Sequence, residues 1–211
     1  MKHIRFYLDF VSPYAWLALQ QMPKALQGLS YHVEYRPVLL GALLQHNSNP
    51  GPAGIPAKRA WTYRHVSWLG HSLGVELQMP AQHPFKPIAL LRLALAHGRD
   101  GCINRFVAQS VMQHVWVGGR DANDPQRMQQ LRTLLQDQKH HDEGGDEVKQ
   151  CLRANTDQAQ QAGVFGVPAW EVDGHVFWGL DALPMLRSYL QGDSWFDGHW
   201  QAAAEVESGL S

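Results

Sequence analysis

Residues 4–19, IRFYLDFVSPYAWLAL, decide the fold. The alternation and the aromatic content of residues 4–11 predict a β-strand. Ser12 and Pro13 follow at once, and a serine before a proline before an apolar run is typical of a helix start with serine as the N-cap. Residues 31–37, YHVEYRP, alternate again and predict a second strand. This strand–helix–strand order implies a right-handed crossover and a parallel pair of strands.

The central part of the chain changes from strand to helix periodicity. Residues 45–56, QHNSNPGPAGIP, are rich in proline, glycine and asparagine and predict a loop. From about residue 57 to about residue 135, apolar residues recur at helical spacing. Helix breaks are expected at residues 74–87, 98–101 and 118–125. The sequence therefore predicts a block of several helices here.

The last part of the chain returns to strands. After a predicted helix at residues 148–162, residues 169–179, AWEVDGHVFWG, predict a hairpin with Asp173-Gly174 as a type I′ turn. Asp181 is expected to be the N-cap of a final helix. The tail after Gly192 begins with a short aromatic stretch, and the small and acidic residues that follow this stretch are expected to be poorly ordered.

This element order predicts an α/β fold in which a thioredoxin-like domain is interrupted by an all-helical insertion domain. The two halves of the thioredoxin-like domain are expected at residues 1–40 and 160–192. The insertion is expected at residues 41–159, and residues 193–211 form a C-terminal tail.

Composition excludes several classes of function. The chain has 211 residues, 45% of them hydrophobic and 18% charged, with a formal net charge of -1. A near-neutral chain argues against a polyanion-binding surface, so no nucleic-acid partner is expected. The sequence shows no pattern of a signal peptide and no apolar stretch near the ~20 residues that a membrane helix needs. We therefore expect no membrane partner, and we expect a cytoplasmic location.

Cysteine and histidine usage points away from metal and dithiol chemistry. Cys102 and Cys151 are far apart, and the sequence contains no C-x-x-C. This excludes zinc knuckles and an intrinsic dithiol redox site, and both thiols are expected to be inert packing residues. The adjacent His140 and His141 do not share a helix face, so no metal site is expected.

The turn between the first strand and the first helix is where a thioredoxin-like fold places its reactive group. A helix N-terminus there favours an anion such as a thiolate. Ser12 cannot form a disulfide, but its hydroxyl can donate a hydrogen bond to the thiolate of another molecule. The alternative is that Ser12 is only an N-cap. Val167 and Pro168, directly before a strand, are expected to form a cis peptide that lies against this turn and offers backbone groups to an extended peptide.

Four stretches identify a family. They are FYLDFVSPYAWLA at residues 6–18, YRPVLLGAL at 35–43, VWVGGRDANDP at 115–125 and LRANTDQAQQAGVFGVPAWEVDGHVFWGLDAL at 152–183. Together they closely resemble the 2-hydroxychromene-2-carboxylate isomerases of the DsbA-like, kappa-class glutathione transferase group. The resemblance extends to about Leu190 and implies that the helical insertion is of the DsbA/kappa type.

The resemblance implies glutathione as the cofactor and assigns residues to it. Ser12 matches the serine that hydrogen-bonds the glutathione sulfur, and Val167 before cis-Pro168 matches the backbone clamp. Asn49 and Lys58 match a polar pair that contacts the tripeptide. Leu180 and Asp181 match the pair at the start of the last helix that holds the γ-glutamyl end. A lysine suits a carboxylate of glutathione and an aspartate suits its ammonium group. Asn47 is an alternative to Asn49, Lys58 is also an ordinary helix-start lysine, and Asp181 is also an ordinary N-cap.

The resemblance implies an isomerase that interconverts 2-hydroxychromene-2-carboxylate and trans-o-hydroxybenzylidenepyruvate in the breakdown of aromatic hydrocarbons. The thiolate is expected to add to the conjugated carbon of the opened substrate and then leave. The partners implied are glutathione, a small aromatic acid or other electrophile, and a second copy of the chain in a homodimer. Lys86 stands where asparagine is expected, which favours an acidic substrate or is an ordinary surface lysine.

Three other functions stay open on the sequence. The first is a kappa-like glutathione transferase or peroxidase, with the same site and a different electrophile. The second is a DsbA-type disulfide oxidoreductase, which the missing C-x-x-C disfavours. The third is a non-catalytic binding module on the same fold.

Overall fold

A computed structural model describes residues 1–207 and Gly209. Four strands form one sheet in the order β2-β1-β3-β4. Their bounds are Lys2–Leu8 for β1, Tyr31–Pro37 for β2, Ala169–Val172 for β3 and His175–Trp178 for β4. β1 is parallel to β2 and antiparallel to β3, and β3 is antiparallel to β4. The predicted strand–helix–strand unit and the C-terminal hairpin are therefore confirmed.

The helices of the described residues follow the predicted order. Their bounds are Pro13–Ala25 (α1), Leu40–His46 (α2), Pro56–Leu73 (α3), Ile88–Ala96 (α4), Arg105–Trp116 (α5), Pro125–Leu135 (α6), Asp146–Gln161 (α7), Leu183–Leu190 (α8) and His199–Ala204 (α9). Helices α2 to α7 lie between β2 and β3 in the chain. A helical block therefore separates the two halves of the sheet, as the change in periodicity predicts.

The two faces of the sheet bury two apolar clusters. Because side chains alternate along a strand, Ile4, Phe6 and Leu8 of β1 join the larger cluster, and Tyr7 joins the smaller one. In the larger cluster Phe6 stacks on Trp170 of β3, with ring centroids 5.3 Å apart. This packing fixes the C-terminal end of β1, from which the chain continues into α1.

The hairpin turn and the start of the last helix differ in how well the sequence predicts them. Asp173 and Gly174 have φ values of 50° and 81°, as the predicted type I′ turn requires. The prediction that Asp181 caps the last helix is wrong. Asp181 lies in a short 3₁₀ turn, and the N-cap position of α8 is Ala182, with no side-chain cap. Because the helix starts with a proline in its first turn, its beginning is set by the fixed φ of that residue rather than by a capping carboxylate.

The aromatic stretch of the tail is folded, and α9 continues into the small residues up to Ala204, for which poor order is expected. Residues Ser194–Asp197 form a 3₁₀ turn, and α9 follows. Phe196 and Trp200 pack on Phe177 of β4, with ring centroids 6.1 and 5.3 Å away. These rings bury a large apolar area, which orders the segment. For residues 208, 210 and 211 the expectation falls outside the described residues.

Within the part of the chain that the structure describes, no helix has the length and apolar character needed to cross a membrane. No group of three or more histidine, cysteine, aspartate or glutamate side chains is arranged to hold a metal ion in that part of the chain.

Candidate active site

The turn between β1 and α1 places Ser12 against the cis-proline loop. Ser12 is the N-cap of α1, and its Oγ accepts a hydrogen bond from the Ala15 N–H at 3.3 Å. The same hydroxyl donates to the Val167 carbonyl oxygen at 3.3 Å. The Val167-Pro168 peptide is cis. The predicted cis bond and its closeness to Ser12 are both confirmed, and one thiol can reach both segments.

Asp9 holds this turn from inside the protein. Its side chain is fully buried, and its two oxygens accept hydrogen bonds from the Val11 N–H at 3.1 Å and the Leu40 N–H at 2.9 Å. Its carbonyl oxygen accepts a hydrogen bond from the Ser12 N–H at 3.0 Å. Burial raises the pKa of Asp9 to about 7, against the lowering effect of its backbone hydrogen bonds. Asp9 thus fixes both the turn and the start of α2.

Two ring N–H groups hold the carbonyls of the same turn. The Trp116 indole donates to the Phe10 carbonyl oxygen at 3.1 Å, and His83 Nε2 lies 2.8 Å from the Val11 carbonyl oxygen. Sequence reasoning missed both residues as parts of the site. No local signal marks them, because each contacts a residue that is distant in the sequence. Trp116 is 106 residues from Phe10, and His83 is 72 residues from Val11.

The N-terminus of α1 is electrostatically suited to an anion. Its first turn contains no acidic residue, and this end of the helix carries the positive end of the helix dipole. Ser12 is only 5% exposed, so a charge beside it would be shielded from water. Because neither Ser12 nor Ala15 is a cysteine, the thiolate that such a turn favours must come from another molecule.

The cis-proline loop brings the Leu180 and Asp181 segment toward the same end of α1. The Pro168 carbonyl oxygen accepts a hydrogen bond from the Gly179 N–H at 2.9 Å, just before that segment. The charge of Asp181 contributes, after burial, to the raised pKa of Tyr14, which lies in the first turn of α1. Among the described residues, no hydrogen bond engages the Asp181 carboxylate or the Val167 N–H. Both groups are therefore free to meet a ligand.

Helix α3 meets α1 through Tyr14. The Tyr14 hydroxyl lies 2.9 Å from His65 Nδ1, and the His65 ring stacks with exposed Trp61 at a centroid distance of 6.0 Å. Lys58 is exposed on the first turn of the same helix and has no carboxylate partner among the described residues. The structure does not bring Lys58 into contact with Ser12. A ligand would have to span the distance between them.

The two asparagines of the loop before α3 are used differently. Asn47 donates its side-chain amide to the Leu43 carbonyl oxygen at 2.8 Å, at the end of α2. Asn49 accepts a hydrogen bond from the Gly51 N–H at 2.8 Å, which leaves its amide N–H₂ free. Between the two alternatives, Asn49 is thus the residue that keeps both amide N–H donors for a ligand.

The cysteines and Lys86 lie apart from this turn. Cys102 and Cys151 are free thiols, and burial is the main cause that raises the pKa of Cys102. Lys86 lines a cavity of about 460 Å³ together with Asn123, Met128 and other residues of α4 and α6. No contact of this cavity with Ser12 is seen among the described residues.

Comparisons with known proteins agree with this geometry. A family model described as the DSBA-like thioredoxin domain matches residues 3–191. The 2-hydroxychromene-2-carboxylate isomerase of Sphingobium xenophagum is 30% identical over 203 residues, which cover 90% of this chain and 98% of that protein. Glutathione S-transferase kappa 2 of Caenorhabditis elegans is 26% identical over 208 residues, 90% of this chain and 92% of that one. A solved structure of a selenomethionine 2-hydroxychromene-2-carboxylate isomerase superposes with a TM-score of 0.73 at 20% identity, covering 98% of this chain and all of the other.

Proposed function

Because the chain belongs to the DsbA-like thioredoxin family, in the group of 2-hydroxychromene-2-carboxylate isomerases and kappa-class glutathione transferases, we propose that it is a glutathione-dependent isomerase. Its proposed substrates are 2-hydroxychromene-2-carboxylate and trans-o-hydroxybenzylidenepyruvate. The observation that carries this proposal is the Ser12 hydroxyl, held 3.3 Å from the Val167 carbonyl oxygen in a turn that lacks a cysteine.

The residues present fit glutathione, which has one thiol, two carboxylates and one ammonium group. The free Val167 N–H and the Val167 carbonyl suit the backbone of an extended tripeptide. Lys58 suits a carboxylate and Asp181 suits the ammonium group, since neither is engaged by an opposite charge in the described part of the chain. Asn49 adds amide donors, and Leu180 belongs to the same segment as Asp181.

Ser12 has the central part in the proposed mechanism. In the free protein its hydroxyl proton goes to the Val167 carbonyl in a long hydrogen bond. Turning that proton toward a sulfur anion exchanges a weak bond for a charge-assisted one. Together with the N-terminal dipole of α1, this lowers the pKa of a bound thiol, whose ordinary value is ~8.5.

Glutathione, when bound, would supply a nucleophilic thiolate for reversible addition to the conjugated carbon of the opened substrate. Ser12 would donate a hydrogen bond to the sulfur in its anionic form. The buried position of Ser12 excludes water from that end of the site. Lys58, Asp181 and the Val167 backbone hold the tripeptide in register while the sulfur reacts.

Two measurements test the proposal. Calorimetric titration with glutathione should show binding, and finding none up to millimolar concentration would remove its foundation. Interconversion of the two substrates, followed by absorbance, should depend on glutathione and should not be supported by S-methylglutathione. The methylated tripeptide keeps all the charges and lacks only the thiol, so equal rates with both compounds would contradict thiolate catalysis.

A kappa-like glutathione transferase is the second candidate. The Caenorhabditis elegans relative favours it, because that kappa-class protein matches over 90% of this chain. A thiol-conjugation assay with an aryl halide, run beside the isomerisation assay on the same preparation, separates the two activities. Conjugation without isomerisation would favour the transferase.

A further inference from the structure

Both ring nitrogens of His83 have hydrogen-bond partners, and one of these partners is Val11, the residue that precedes Ser12. Its Nε2 lies 2.8 Å from the Val11 carbonyl oxygen, and its Nδ1 lies 2.9 Å from the Tyr63 hydroxyl. The Tyr63 hydroxyl also lies 2.6 Å from the backbone carbonyl oxygen of His83. The histidine is thereby tied to α3 on one side and to the β1–α1 turn on the other.

The protons of this arrangement can be assigned from the chemistry of the partners. A carbonyl oxygen only accepts, so the Val11 contact requires the ring proton of His83 on Nε2. Burial lowers the pKa of His83, which favours the neutral ring at neutral pH and leaves Nδ1 as an acceptor. The one hydroxyl proton of Tyr63 then faces two acceptors of the same residue, the ring nitrogen and the backbone carbonyl oxygen. Either choice keeps Tyr63 against His83.

The ring of His83 is also fixed by packing. It lies 5.6 Å from the fully buried Trp116 ring and 5.3 Å from the Tyr63 ring, measured between centroids. Trp116 in turn donates to the Phe10 carbonyl oxygen. Two neighbouring carbonyls of the turn, those of Phe10 and Val11, are therefore each held by a ring N–H whose own position is locked.

We propose that His83 is a positioning residue for Ser12. By donating from Nε2 to the Val11 carbonyl, it fixes the peptide that carries Ser12 and so holds the Ser12 hydroxyl in place at the N-terminus of α1. Tyr63 orients the His83 ring for this purpose. The inference rests on the proposed function, since it concerns how well the turn holds a thiolate, and it adds a residue that the sequence did not point to.

The test compares three variants with the wild type. His83→Phe keeps an aromatic ring and removes the donor, so the turnover number should fall about two- to tenfold with little change in KM. The thiol pKa of bound glutathione, followed by the ultraviolet absorbance of the thiolate, should rise. His83→Gln restores a donor near the position of Nε2, so it should recover much of the turnover and bring the thiol pKa back toward the wild-type value. Tyr63→Phe keeps the Val11 contact and should have the smaller effect.

The outcomes separate this inference from the proposed function. If the wild type neither binds glutathione nor lowers its thiol pKa, the proposed function fails. If the wild type does both and His83→Phe leaves the thiol pKa and the turnover unchanged, His83 is not a positioning residue.

A measurement on the unmodified protein guards against a variant that misfolds. Nitrogen chemical shifts of the His83 ring should show the proton on Nε2 at neutral pH. A ring protonated on Nδ1 alone could not donate to Val11 and would overturn the inference.

Discussion

The turn of residues 9–12 and the segment of residues 47–58 are both proposed to contact glutathione, yet they are built in opposite ways. In the turn, Asp9 and Ser12 are buried, and the carbonyls of Phe10 and Val11 are held by ring N–H groups. In the segment, Lys58 is exposed and has no ion-pair partner among the described residues.

The difference follows from what each region must do. A group that stabilises a developing charge is effective only when it is fixed before the reaction, because reorganisation would cancel its benefit. A group that captures a charged ligand from water needs reach and exposure, and its contribution is small because the solvent screens it. We therefore expect substitutions in the turn to change stability and rate, and substitutions in the segment to change affinity.

The largest effect should come from the buried carboxyl of the turn. The folded-state pKa of Asp9 is about 7, above the unfolded value near 3.8, so the folded protein binds this proton more tightly. The stabilisation that the protonated Asp9 carboxyl gives the folded state is fully present below about pH 4 and is lost as pH rises toward about 7. The free energy of unfolding should fall over this range by at most ~1.4 kcal/mol per pH unit. The difference in unfolding free energy between the wild type and Asp9→Asn, measured by urea unfolding across this range, should show this slope.

The control for this comparison is Asp157→Asn, which changes an exposed carboxyl on α7 in the same way. It should keep the pH dependence of the wild type. An Asp9→Asn protein with the same slope as the wild type would mean that another group titrates, and that the turn is not held by a protonated carboxyl at acidic pH.

The next largest effect should come from Ser12→Ala. Loss of one charge-assisted hydrogen bond costs ~1.5–3 kcal/mol, so turnover should fall about ten- to two-hundredfold. Glutathione affinity should change much less, because Lys58, Asp181 and the Val167 backbone are proposed to provide it. The limb of the pH–rate profile that reports the glutathione thiol should move toward its free value.

A matched control for Ser12→Ala is Asn104→Ala, which removes the N-cap hydrogen bond of α5 to the Val107 N–H, at 2.9 Å. Both variants lose a cap and should lose about 1 kcal/mol of stability. Only Ser12→Ala should lose activity. If Ser12→Ala kept full activity with an unchanged pH profile, Ser12 would be an N-cap and nothing more.

A smaller effect is expected from the exposed segment. Lys58→Met should weaken glutathione binding about two- to fivefold with kcat unchanged, because an exposed ion pair is worth up to ~1 kcal/mol. The difference should shrink at high salt. Arg59→Met removes the neighbouring exposed cation and serves as the control. Equal losses in both variants would show a general effect of charge rather than a contact of Lys58.

The smallest effect should distinguish the two loop asparagines. Asn49→Ala should weaken glutathione binding about twofold, since one neutral hydrogen bond is worth ~0.5–1.5 kcal/mol and this one is exposed. Asn47→Ala should leave affinity unchanged and lower the melting temperature, because it removes the contact to the Leu43 carbonyl at the end of α2. The reverse result would assign the contact with the tripeptide to Asn47.

The sequence predicts the parts of this molecule that depend on local pattern. The strand and helix around Ser12, the hairpin turn at Asp173-Gly174 and the change to helices after residue 45 all follow from periodicity and turn chemistry. The cis Val167-Pro168 peptide can be predicted only in combination with the Ser12 turn. The other site residues follow only from the family resemblance.

What the sequence does not predict depends on contacts between distant segments. His83 and Tyr63 support the turn only because α3 and the loop after it pack against the end of β1. The order of the tail depends on Phe196 and Trp200 meeting the β4 side of the sheet. Asp181 is a residue type that is favoured at the N-cap, yet α8 begins after it because a proline in the first turn of α8 sets where the helix starts.

The pairing of β1 with β3 has a consequence for synthesis of the chain. Ser12 and Val167 are 155 residues apart, and at about 5–20 residues per second a ribosome adds that length in about 8–30 s. Once β2 has been added, and for the rest of that interval, the nascent β1 has its parallel neighbour but not the strand that pairs with Arg5, Phe6 and Tyr7 on its other edge. An open edge is a template for unwanted pairing, so the newborn chain is most prone to aggregate before residue 172 has emerged. The two halves of the site therefore meet only after β3 has been synthesised.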